Sequence, residues 1–471
     1  MEKYSMYING EWVQSDNEIE VTNPATDEVI GTVPSISEEQ LEQAIDNASV
    51  AFQSWRKKTA YERAELMGKW YQLLDENKKS IAETLTKEQG KPFKEALGEV
   101  MYANNFVDWY KEEAKRIYGE TMPSTQENKR ILIQKQPVGV VAAITPWNFP
   151  AAMITRKVAP ALAAGCTVIV KPASQTPLTA LLLAKYAHEA GIPKGVIQVV
   201  TGKSSLIGET LMKSNKVKKL TFTGSTEVGK TLMKMASDTV KKLSLELGGH
   251  APFIVFEDAD LEKAAKGLIQ SKYRNAGQTC ICANRIYVHE EVADSFTSIF
   301  VEEVSKLKVG DGLERGIDIG PLIDRDALEK VQEHIEDAKR KGAKVSFGGE
   351  VMEKTFMEPT VVTNVKDDMI CMQEETFGPL APISTFKEET EVLERANTSP
   401  YGLAAYVYTE NLGRMYRVTE ALEYGIIGVN DGAPSTAQAP FGGLKESGIG
   451  REGGHHGLEE YLEVKYVSIG I

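Results

Sequence analysis

The chain has 471 residues and a formal net charge of −13 at pH 7, from 54 Lys and Arg against 67 Asp and Glu. This acidic balance argues against broad electrostatic binding to nucleic acid or to an anionic membrane, although a local basic pocket for a small anion stays open. Hydrophobic residues make up 42% and charged residues 26%, which is globular composition, and the length suggests about three domains at roughly 150 residues each.

Membrane and export signals are absent from the sequence pattern. No apolar run approaches the ~20 residues that a spanning helix needs, and the segment MEKYSMYINGEWV lacks the apolar core of a signal peptide. The four cysteines, Cys166, Cys280, Cys282 and Cys371, are too few for a disulfide framework. We therefore expect a cytoplasmic protein with neither a membrane nor a nucleic-acid partner.

The first 120 residues or so are predicted to be mostly helical. In SEEQLEQAIDNASVAFQSW, apolar residues recur at spacings of three and four, which places them on one helix face. A polar break follows at residues 124–129, and the pattern then changes.

From Val138 onward, short apolar segments alternate with helical ones. The strand candidates are VGVVAAI, TVIV, GVIQVV, KKLTF and KLSLEL, and the helix candidates between them are AAMITRKVAPALAAG, TPLTALLLAKYAHEAG, SSLIGETLMKS and STEVGKTLMKMASD. This alternation predicts a parallel sheet covered on both faces. Because ligands bind such a sheet beyond the carboxyl ends of its strands, the segments that follow the strands are the candidate site.

A second α/β pattern begins at PFIVF, continues through RIYVH and ends near Gly443, with Asp258 and Asp260 as candidate helix caps. Two further segments, KRILIQKQPV and YLEVKYVSI, alternate like strands outside both patterns. They are candidates for a small sheet of their own.

Two segments of the first pattern suit a nucleotide. TFTGSTEVGK places Gly224 and Gly229 between a strand and a helix, where the backbone can approach a phosphate; a plain turn is the alternative, since the spacing matches neither G-x-G-x-x-G nor a P-loop. Lys171 directly follows a strand and is either a solvated lysine or a cation for a ribose or phosphate. Ser174 is neutral, so it would not repel a 2′-phosphate as a carboxylate would.

Three residues suit acyl chemistry. Cys280 lies in the polar loop NAGQTCICANR, which favours a nucleophile over a small core residue, while a Cys280–Cys282 pair without a matching cluster is a poor zinc signature. Glu246 ends an apolar strand, where burial would raise its pKa and suit a general base; a solvated glutamate is the alternative. Asn148, between two aromatic residues, can either donate to a developing oxyanion or shape a turn.

Taken together, PWNFP, KPASQTP, FTGSTEVG, LELGG, GQTC, EETFGP and PFGGLKESG, in this order, resemble the aldehyde dehydrogenase superfamily over essentially the whole chain. Within it, RNAGQTCICANR, AMITRKVAPALAAGCTVIVKPA and REGG…GLEEYLEVKY look most like succinate-semialdehyde dehydrogenases. The resemblance implies an α/β fold with a Rossmann-like cofactor domain (1–118 and 138–247) and an α/β catalytic domain (248–446). It also implies a small β oligomerisation arm (119–137 and 454–471), and hence a homodimer or homotetramer.

The resemblance further implies the mechanism. The Cys280 thiolate attacks the aldehyde carbon, the Asn148 side chain and the Cys280 N–H hold the oxyanion, and hydride leaves for the nicotinamide. Glu246 then activates the water that releases the acid; members that transfer the acyl group to coenzyme A typically lack this glutamate. Lys157 matches a lysine near the reacting centre. Because these catalytic residues are all present, the alternative hypothesis of a ligand-binding relative without catalytic activity is the weaker one.

The cofactor contacts implied by the resemblance are Thr145, Pro146, Trp147, Lys171, Ser174, Gly224, Ser225, Val228, Gly229, Leu247, Glu375 and Phe377. Members selective for NAD usually carry glutamate where Ser174 stands. We therefore expect NADP to be preferred and NAD to be used as well. No metal is expected, since six scattered histidines form no ligand constellation.

Arg156 and Arg274 match the two arginines with which the resembling enzymes bind the distal carboxylate of their substrate, and Ser435 matches a serine beside them. Guanidinium pairs bidentately with carboxylate, surface salt bridges being the alternative. The loop NDGAPSTAQAPFGG is not a close copy of the family versions, so glutarate semialdehyde or a broad aldehyde range stays open beside succinate semialdehyde. Cys282 matches a cysteine that can form a disulfide with the nucleophile, and the resemblance suggests a place in 4-aminobutyrate degradation.

Overall fold

Two large α/β sheets and three smaller sheets organise the computed structural model, which describes residues 2–471. The strands are β1 (Glu2–Lys3), β2 (Met6–Ile8), β3 (Glu11–Val13), β4 (Glu18–Thr22), β5 (Val29–Pro34), β6 (Glu120–Met122), β7 (Lys129–Pro137), β8 (Val140–Ile144), β9 (Thr167–Lys171), β10 (Ile197–Val199), β11 (Val217–Thr223), β12 (Lys242–Glu246), β13 (Ala251–Val255), β14 (Ala283–His289), β15 (Lys344–Phe347), β16 (Thr360–Thr363), β17 (Leu380–Phe386), β18 (Tyr401–Gly402), β19 (Ala404–Tyr408), β20 (Ile426–Val429), β21 (Leu444–Lys445), β22 (Gly448–Ile449) and β23 (Leu462–Gly470).

The helices cover the faces of these sheets. They are α1 (Glu38–Trp55), α2 (Ala60–Glu76), α3 (Lys78–Gln89), α4 (Phe93–Glu113), α5 (Ala152–Ala164), α6 (Leu178–Glu189), α7 (Ser204–Lys213), α8 (Thr226–Ala236), α9 (Leu261–Lys272), α10 (Ala293–Val304), α11 (Arg325–Arg340), α12 (Ile370–Gln373), α13 (Glu389–Asn397), α14 (Leu412–Ala421) and α15 (Gly454–Glu459).

The first large sheet has the strand order β22-β12-β11-β8-β9-β10-β2-β3. Its central strands β12, β11, β8, β9 and β10 run parallel, which confirms the five strands predicted from the apolar segments. The chain winds from β8 to β10 in one direction and then returns to β11 and β12 on the other side of β8. A crevice for a ligand lies at such a reversal, between the segments that follow β8 and β11.

The second large sheet has the order β15-β16-β17-β14-β13-β19-β20, and all neighbours except β15 and β16 are parallel. The predicted second α/β pattern is therefore confirmed. Asp260 caps α9 as expected, since its side chain accepts the N–H of Lys263 at 3.0 Å. Asp258 is not a cap; its carboxylate instead accepts hydrogen bonds from Thr409 and Arg414.

The two outlying segments do form their own sheet. β7 and β23 pair antiparallel from Leu462 opposite Pro137 to Gly470 opposite Lys129, and β6 pairs with β7 on its other edge. Several apolar side chains of this three-stranded sheet are exposed, among them Met122, Val464 and Tyr466.

Two details differ from what local propensity suggests. The helical prediction is right for residues 38–113 but wrong for residues 2–34, where β1–β5 form short strands and β2 extends the first large sheet beside β10. Pro160 lies inside α5 without ending it, within the segment AAMITRKVAPALAAG that was predicted to be helical. Every residue of α5 is buried, so packing outweighs the ~3 kcal/mol that an interior proline costs.

Candidate active site

Cys280 lies where two cavities meet. The first, of about 290 Å³ and called here the substrate-side cavity, is lined by residues of α4 and α5 and by Arg274, Ser435 and Phe441. The second, of about 380 Å³ and called the cofactor-side cavity, is lined by segments that follow β8, β11 and β12. Cys280 contributes to both walls, so a molecule in either cavity contacts this residue.

The loop that carries Cys280 has an unusual backbone. Asn275, Ala276 and Gly277 follow one another with φ angles of 52°, 55° and 76°, in the left-handed region that suits only glycine well. Gly277 is also required sterically, because a Cβ there would lie 2.2 Å from the carbonyl oxygen of Gly378. Strain of this kind persists only where surrounding contacts fix it, and it is concentrated at functional sites.

Burial raises the pKa of the Cys280 thiol to about 12; Arg156 and Arg274 favour the thiolate, whereas Glu375 and Glu246 oppose it. In the protein alone, the sulfur is therefore protonated at neutral pH. A nucleophilic Cys280 needs a base to take its proton, or a cation brought close to it.

Asn148 is buried beside the Cys280 loop. Its side-chain Nδ2 donates to the backbone carbonyl oxygen of Gln278 at 3.1 Å, and its backbone carbonyl oxygen accepts from the Nζ of Lys91 at 2.7 Å. An amide nitrogen carries two hydrogens, so one remains for a developing oxyanion. This position fits the role that the sequence suggested for Asn148.

Glu246 ends β12 and is buried, so the alternative of a solvated glutamate is wrong. Burial and the neighbouring Glu452 raise the pKa of Glu246 well above its ordinary value, against the opposing charges of Arg156 and Lys157. A carboxylate with a raised pKa is a stronger base once ionised, which suits the activation of water. Among residues 2–471, no group bonds its Oε2, which is free to accept a proton.

Glu452 is a functional candidate that the sequence analysis did not predict. Its carboxylate receives Lys157, whose Nζ also donates to the Thr223 hydroxyl at 2.6 Å, and it lies 2.9 Å from the Nε of Arg156. Burial alone would raise the pKa of Glu452, but these two cations lower it. Glu452 lies in the segment REGG, which contributed to the family resemblance but was assigned no chemical role.

Arg156, Arg274 and Ser435 all line the substrate-side cavity, but they differ in their partners. Arg156 is 1% exposed, pairs with Glu452 and lies 3.9 Å from the centre of the Phe441 ring. Arg274 lies 5.0 Å from the Phe149 ring centre, and none of the ion pairs among residues 2–471 includes it. The Ser435 hydroxyl is 2.6 Å from that of Tyr102. The alternative of a surface salt bridge is therefore wrong for both arginines.

Most of the expected cofactor residues line the cofactor-side cavity, namely Pro146, Trp147, Gly224, Ser225, Leu247, Glu375 and Phe377. The cavity also contains residues that were not expected, among them Thr376 and, on α11, Asp326 and Lys330. Helix α11 belongs to the second α/β pattern, and nothing in its sequence marked it as close to the first sheet.

The other expected cofactor residues lie outside that lining. Lys171 ends β9 and donates to the Ser204 hydroxyl at 2.8 Å, with Ser174 half-buried three residues later. Thr145 follows β8 and is buried. Val228, in the first turn of α8, is exposed, while a Cβ on Gly229 would lie 2.4 Å from Leu247, so glycine lets α8 pack closely on the chain after β12.

These residues fit a dinucleotide. Helix α8 begins at the cavity with Ser225 as its N-cap, so its free N–H groups and positive end face the place where a diphosphate would bind. The rings of Trp147 and Phe377 meet edge to face at 5.6 Å beside Cys280. Among the described residues, no cluster of three or more His, Cys, Asp or Glu is arranged to hold a metal ion.

The sequence model of the aldehyde dehydrogenase family matches residues 12–467. The chain therefore belongs to this family. Its α/β fold is that of solved aldehyde dehydrogenases: a structure from Brucella melitensis biovar abortus superposes with a TM-score of 0.99 at 55% identity, covering 99% of this chain and 97% of that one. The resemblance drawn from the motifs is confirmed.

Two curated relatives are similar over nearly their whole length. A glutarate-semialdehyde dehydrogenase of Pseudomonas putida is 56% identical, covering 99% of this chain and 97% of its own. An NADP(+) succinate-semialdehyde dehydrogenase of Escherichia coli is 54% identical, covering 98% of this chain and 97% of its own. Within residues 2–471, no helix combines the length and the apolar character that crossing a bilayer requires.

Proposed function

We propose that the protein oxidises succinate semialdehyde to succinate with reduction of NADP+. The observation that carries the proposal is Arg274, a guanidinium without a carboxylate partner in the wall of the cavity that contains Cys280. A half-buried guanidinium that forms no ion pair with any carboxylate among residues 2–471 favours a substrate that brings an anion with it. The E. coli relative, whose name states both the substrate and NADP(+), supports the same assignment.

The chemistry follows from the residues around Cys280. Cys280 gives its proton to a water molecule that carries it to solvent, and its sulfur adds to the aldehyde carbon while Asn148 and the Cys280 N–H donate to the oxygen that becomes negative. The residues of the cofactor-side cavity would hold NADP+, which would supply the acceptor for the hydride that leaves that carbon. The Cys280 thioester that results is attacked by water, from which Glu246 takes a proton, and the carboxylic acid leaves as the thiol is restored.

The charges around Glu246 fit a base that must take up a proton and then release it in each turnover. Glu452 lies near Glu246 and forms ion pairs with Lys157 and Arg156. The site therefore contains two carboxylates and two cations in a buried network. Lys157 thereby acts on Glu246 through its charge, which favours the ionised base. This gives Lys157 an electrostatic role near the reacting centre.

The cofactor assignment rests on the chain after β9. Lys171 supplies a cation and Ser174 a neutral hydroxyl where a glutamate would repel a 2′-phosphate. Burial lowers the pKa of Lys171 to about 8, so binding of a phosphate would also favour its charged form. NADP is therefore the preferred cofactor of the proposal, with NAD as a second one.

A longer substrate is the second candidate. Glutarate semialdehyde has one more methylene than succinate semialdehyde, a difference worth only ~1–3 kcal/mol in a pocket. The relative from P. putida bears the name of that activity. A broad-range aldehyde dehydrogenase is the third candidate, and it would leave Arg274 without a role in binding.

Assembly and location complete the proposal. We assign residues 1–118 and 138–247 to a cofactor domain, 248–446 to a catalytic domain, and 119–137 with 454–471 to an arm that joins two copies. The exposed apolar side chains of β6 and β23 support a homodimer or homotetramer. Four unpaired cysteines are consistent with a reducing cytoplasm, and 4-aminobutyrate degradation is a setting that would supply the substrate.

The test is to follow NADPH formation with succinate semialdehyde, glutarate semialdehyde and an uncharged aldehyde of similar length, then to repeat it with NAD. We expect kcat/KM for succinate semialdehyde to exceed that for the uncharged aldehyde at least tenfold, the factor that ~1.4 kcal/mol represents. Equal values for the charged and uncharged aldehydes would refute a carboxylate pocket. A preference for glutarate semialdehyde would replace the substrate but keep the pocket.

A further inference from the structure

Carboxylates at the start of α4 contact the loops that carry the reacting groups. Glu95 Oε2 accepts the backbone N–H of Asn275 at 2.9 Å, five residues before Cys280. One helical turn later, Glu99 accepts the N–H of Ala151 at 2.9 Å, close to Asn148. One face of α4 therefore holds both the nucleophile loop and the loop of the oxyanion donor.

The nucleophile loop needs such a restraint. Asn275 and Ala276 both have left-handed backbones although each carries a Cβ, a conformation that is unfavourable for alanine in particular. The Nδ2 of Asn275 also donates to the backbone carbonyl oxygen of Asn148 at 3.0 Å. Because one residue joins the two loops, a shift of Asn275 changes the position of Cys280 relative to Asn148.

We propose that Glu95 is a positioning residue: its hydrogen bond to the Asn275 N–H holds the left-handed turn and thereby aligns Cys280 with Asn148. This inference rests on the proposed function in that it takes Cys280 as the nucleophile, but it does not depend on which aldehyde is oxidised. Glu95 also lines the substrate-side cavity and attracts Arg274, so the test must separate positioning from substrate binding.

The test compares Glu95→Ala with Glu95→Gln, whose amide oxygen still accepts the Asn275 N–H. Glu112→Ala is the matched control, since Glu112 is a carboxylate of the same helix that pairs with Lys115 at the surface. Each variant is assayed for kcat with a carboxylated and an uncharged aldehyde. The rate of alkylation of Cys280 by iodoacetamide is measured without aldehyde, with Cys280→Ala to identify the labelled sulfur, since the other three cysteines are buried.

In Glu95→Ala we expect kcat to fall about tenfold, or ~1.4 kcal/mol, with both aldehydes and alkylation of Cys280 to slow by a similar factor. Glu95→Gln should stay within roughly threefold of the wild type in each measurement, and Glu112→Ala should be unchanged. Adding Ala276→Gly to Glu95→Ala should recover part of the loss, because glycine adopts the left-handed turn without the Cβ penalty.

Two results would overturn the assignment. Equal losses in Glu95→Gln and Glu95→Ala would mean that the charge matters and not the hydrogen bond. A higher KM confined to the carboxylated aldehyde, with unchanged alkylation, would make Glu95 a substrate-binding residue. Because alkylation requires no turnover, a protein inactive on every semialdehyde would refute the proposed function and still report on Glu95.

Discussion

The two cavities that meet at Cys280 differ in the groups that they offer to a ligand. Both cavities are lined by charged side chains and aromatic rings, but only the cofactor-side cavity includes the small residues that follow strand ends, such as Gly224, Ser225 and Gly248, and only the substrate-side cavity includes guanidinium groups. Backbone N–H groups at a helix start bind phosphate whatever the side chains are, whereas recognition of one aldehyde rests on one or two guanidinium groups. Variants on one side should therefore spare the other, and only variants near the junction should affect both.

A second contrast lies inside the substrate-side cavity. Arg156 lies 2.9 Å from Glu452 and packs on the Phe441 ring, although its Nε and Nη2 make no hydrogen bond to any described residue, whereas Arg274 has no carboxylate partner in the part of the chain that the structure describes. The sequence analysis predicted the same role, binding of the distal carboxylate, for both arginines. We propose that Arg156 mainly balances the charge of Glu452 and that Arg274 is the cation available to a substrate.

The largest expected effect is at Glu246, which lines neither cavity but is buried close enough to Cys280 for its charge to oppose the thiolate. Glu246→Gln should lower steady-state kcat by about 10²–10⁴-fold with every aldehyde and both cofactors, because the thioester then lacks its base. Stopped-flow absorbance should show a burst of one NADPH per site followed by slow turnover. Loss of the burst together with turnover would mean that Glu246 acts before hydride transfer.

The pH profile sharpens the same prediction. The pKa of Glu246 is raised, and the base works only when ionised, so wild-type kcat should fall as the pH drops through that raised value, above the ~4.3 of an ordinary glutamate. Glu246→Gln should lack this acid limb. An unchanged limb in the variant would assign it to another group.

Next in size is Arg156→Ala, which breaks a buried pair. Removing one partner of such a pair costs ~3–5 kcal/mol, because Glu452 is left buried with only Lys157. We expect a lower midpoint in urea unfolding and reduced kcat on all aldehydes, since Glu246 then faces a less neutralised carboxylate. A loss confined to carboxylated aldehydes, with stability unchanged, would instead make Arg156 a direct substrate ligand.

Arg274→Gln should separate substrates rather than destabilise the protein. A hydrogen bond to a charged group contributes ~1.5–3 kcal/mol, so kcat/KM for succinate semialdehyde should fall about 10–100-fold, with the uncharged aldehyde little affected. Lys94→Gln, an exposed cation at the start of α4, is the matched control. Equal losses on both aldehydes would remove Arg274 from the binding of the distal carboxylate.

On the cofactor side, Ser174→Glu should change the choice of cofactor alone. The new carboxylate repels a 2′-phosphate and accepts from a ribose hydroxyl, so we expect the ratio of kcat/KM for NADP to that for NAD to fall about tenfold, or ~1.4 kcal/mol. Gln175→Glu adds the same charge at the exposed neighbour and should alter the ratio less. If both variants change it equally, the effect is a general one of surface charge.

Much of this arrangement could be predicted where local pattern and tertiary position coincide. The parallel strands and the residues after them follow from apolar runs and from the geometry of a parallel sheet, which is why Asn148, Glu246 and Gly224 were found. Glu452 and Lys330 come from distant segments, and no local signal tells which carboxylate or lysine a fold will bring to a cavity. Likewise, the sequence placed Arg156 and Arg274 in one pocket but contained nothing about which of them a carboxylate had already neutralised.

The smallest effect in steady-state activity is expected for Cys282→Ala. Cys282 is buried, with its Sγ donating to the Lys272 carbonyl oxygen at 3.5 Å, so it contributes to packing and not to turnover. We expect kcat under reducing conditions to be close to that of the wild type. A disulfide with Cys280 needs the loop to move, because residues two apart rarely meet disulfide geometry, yet such a bond would protect the nucleophile from irreversible oxidation. After peroxide treatment, thiol should therefore restore the wild type but not Cys282→Ala; equal recovery in the two proteins would show that Cys282 is only a core residue.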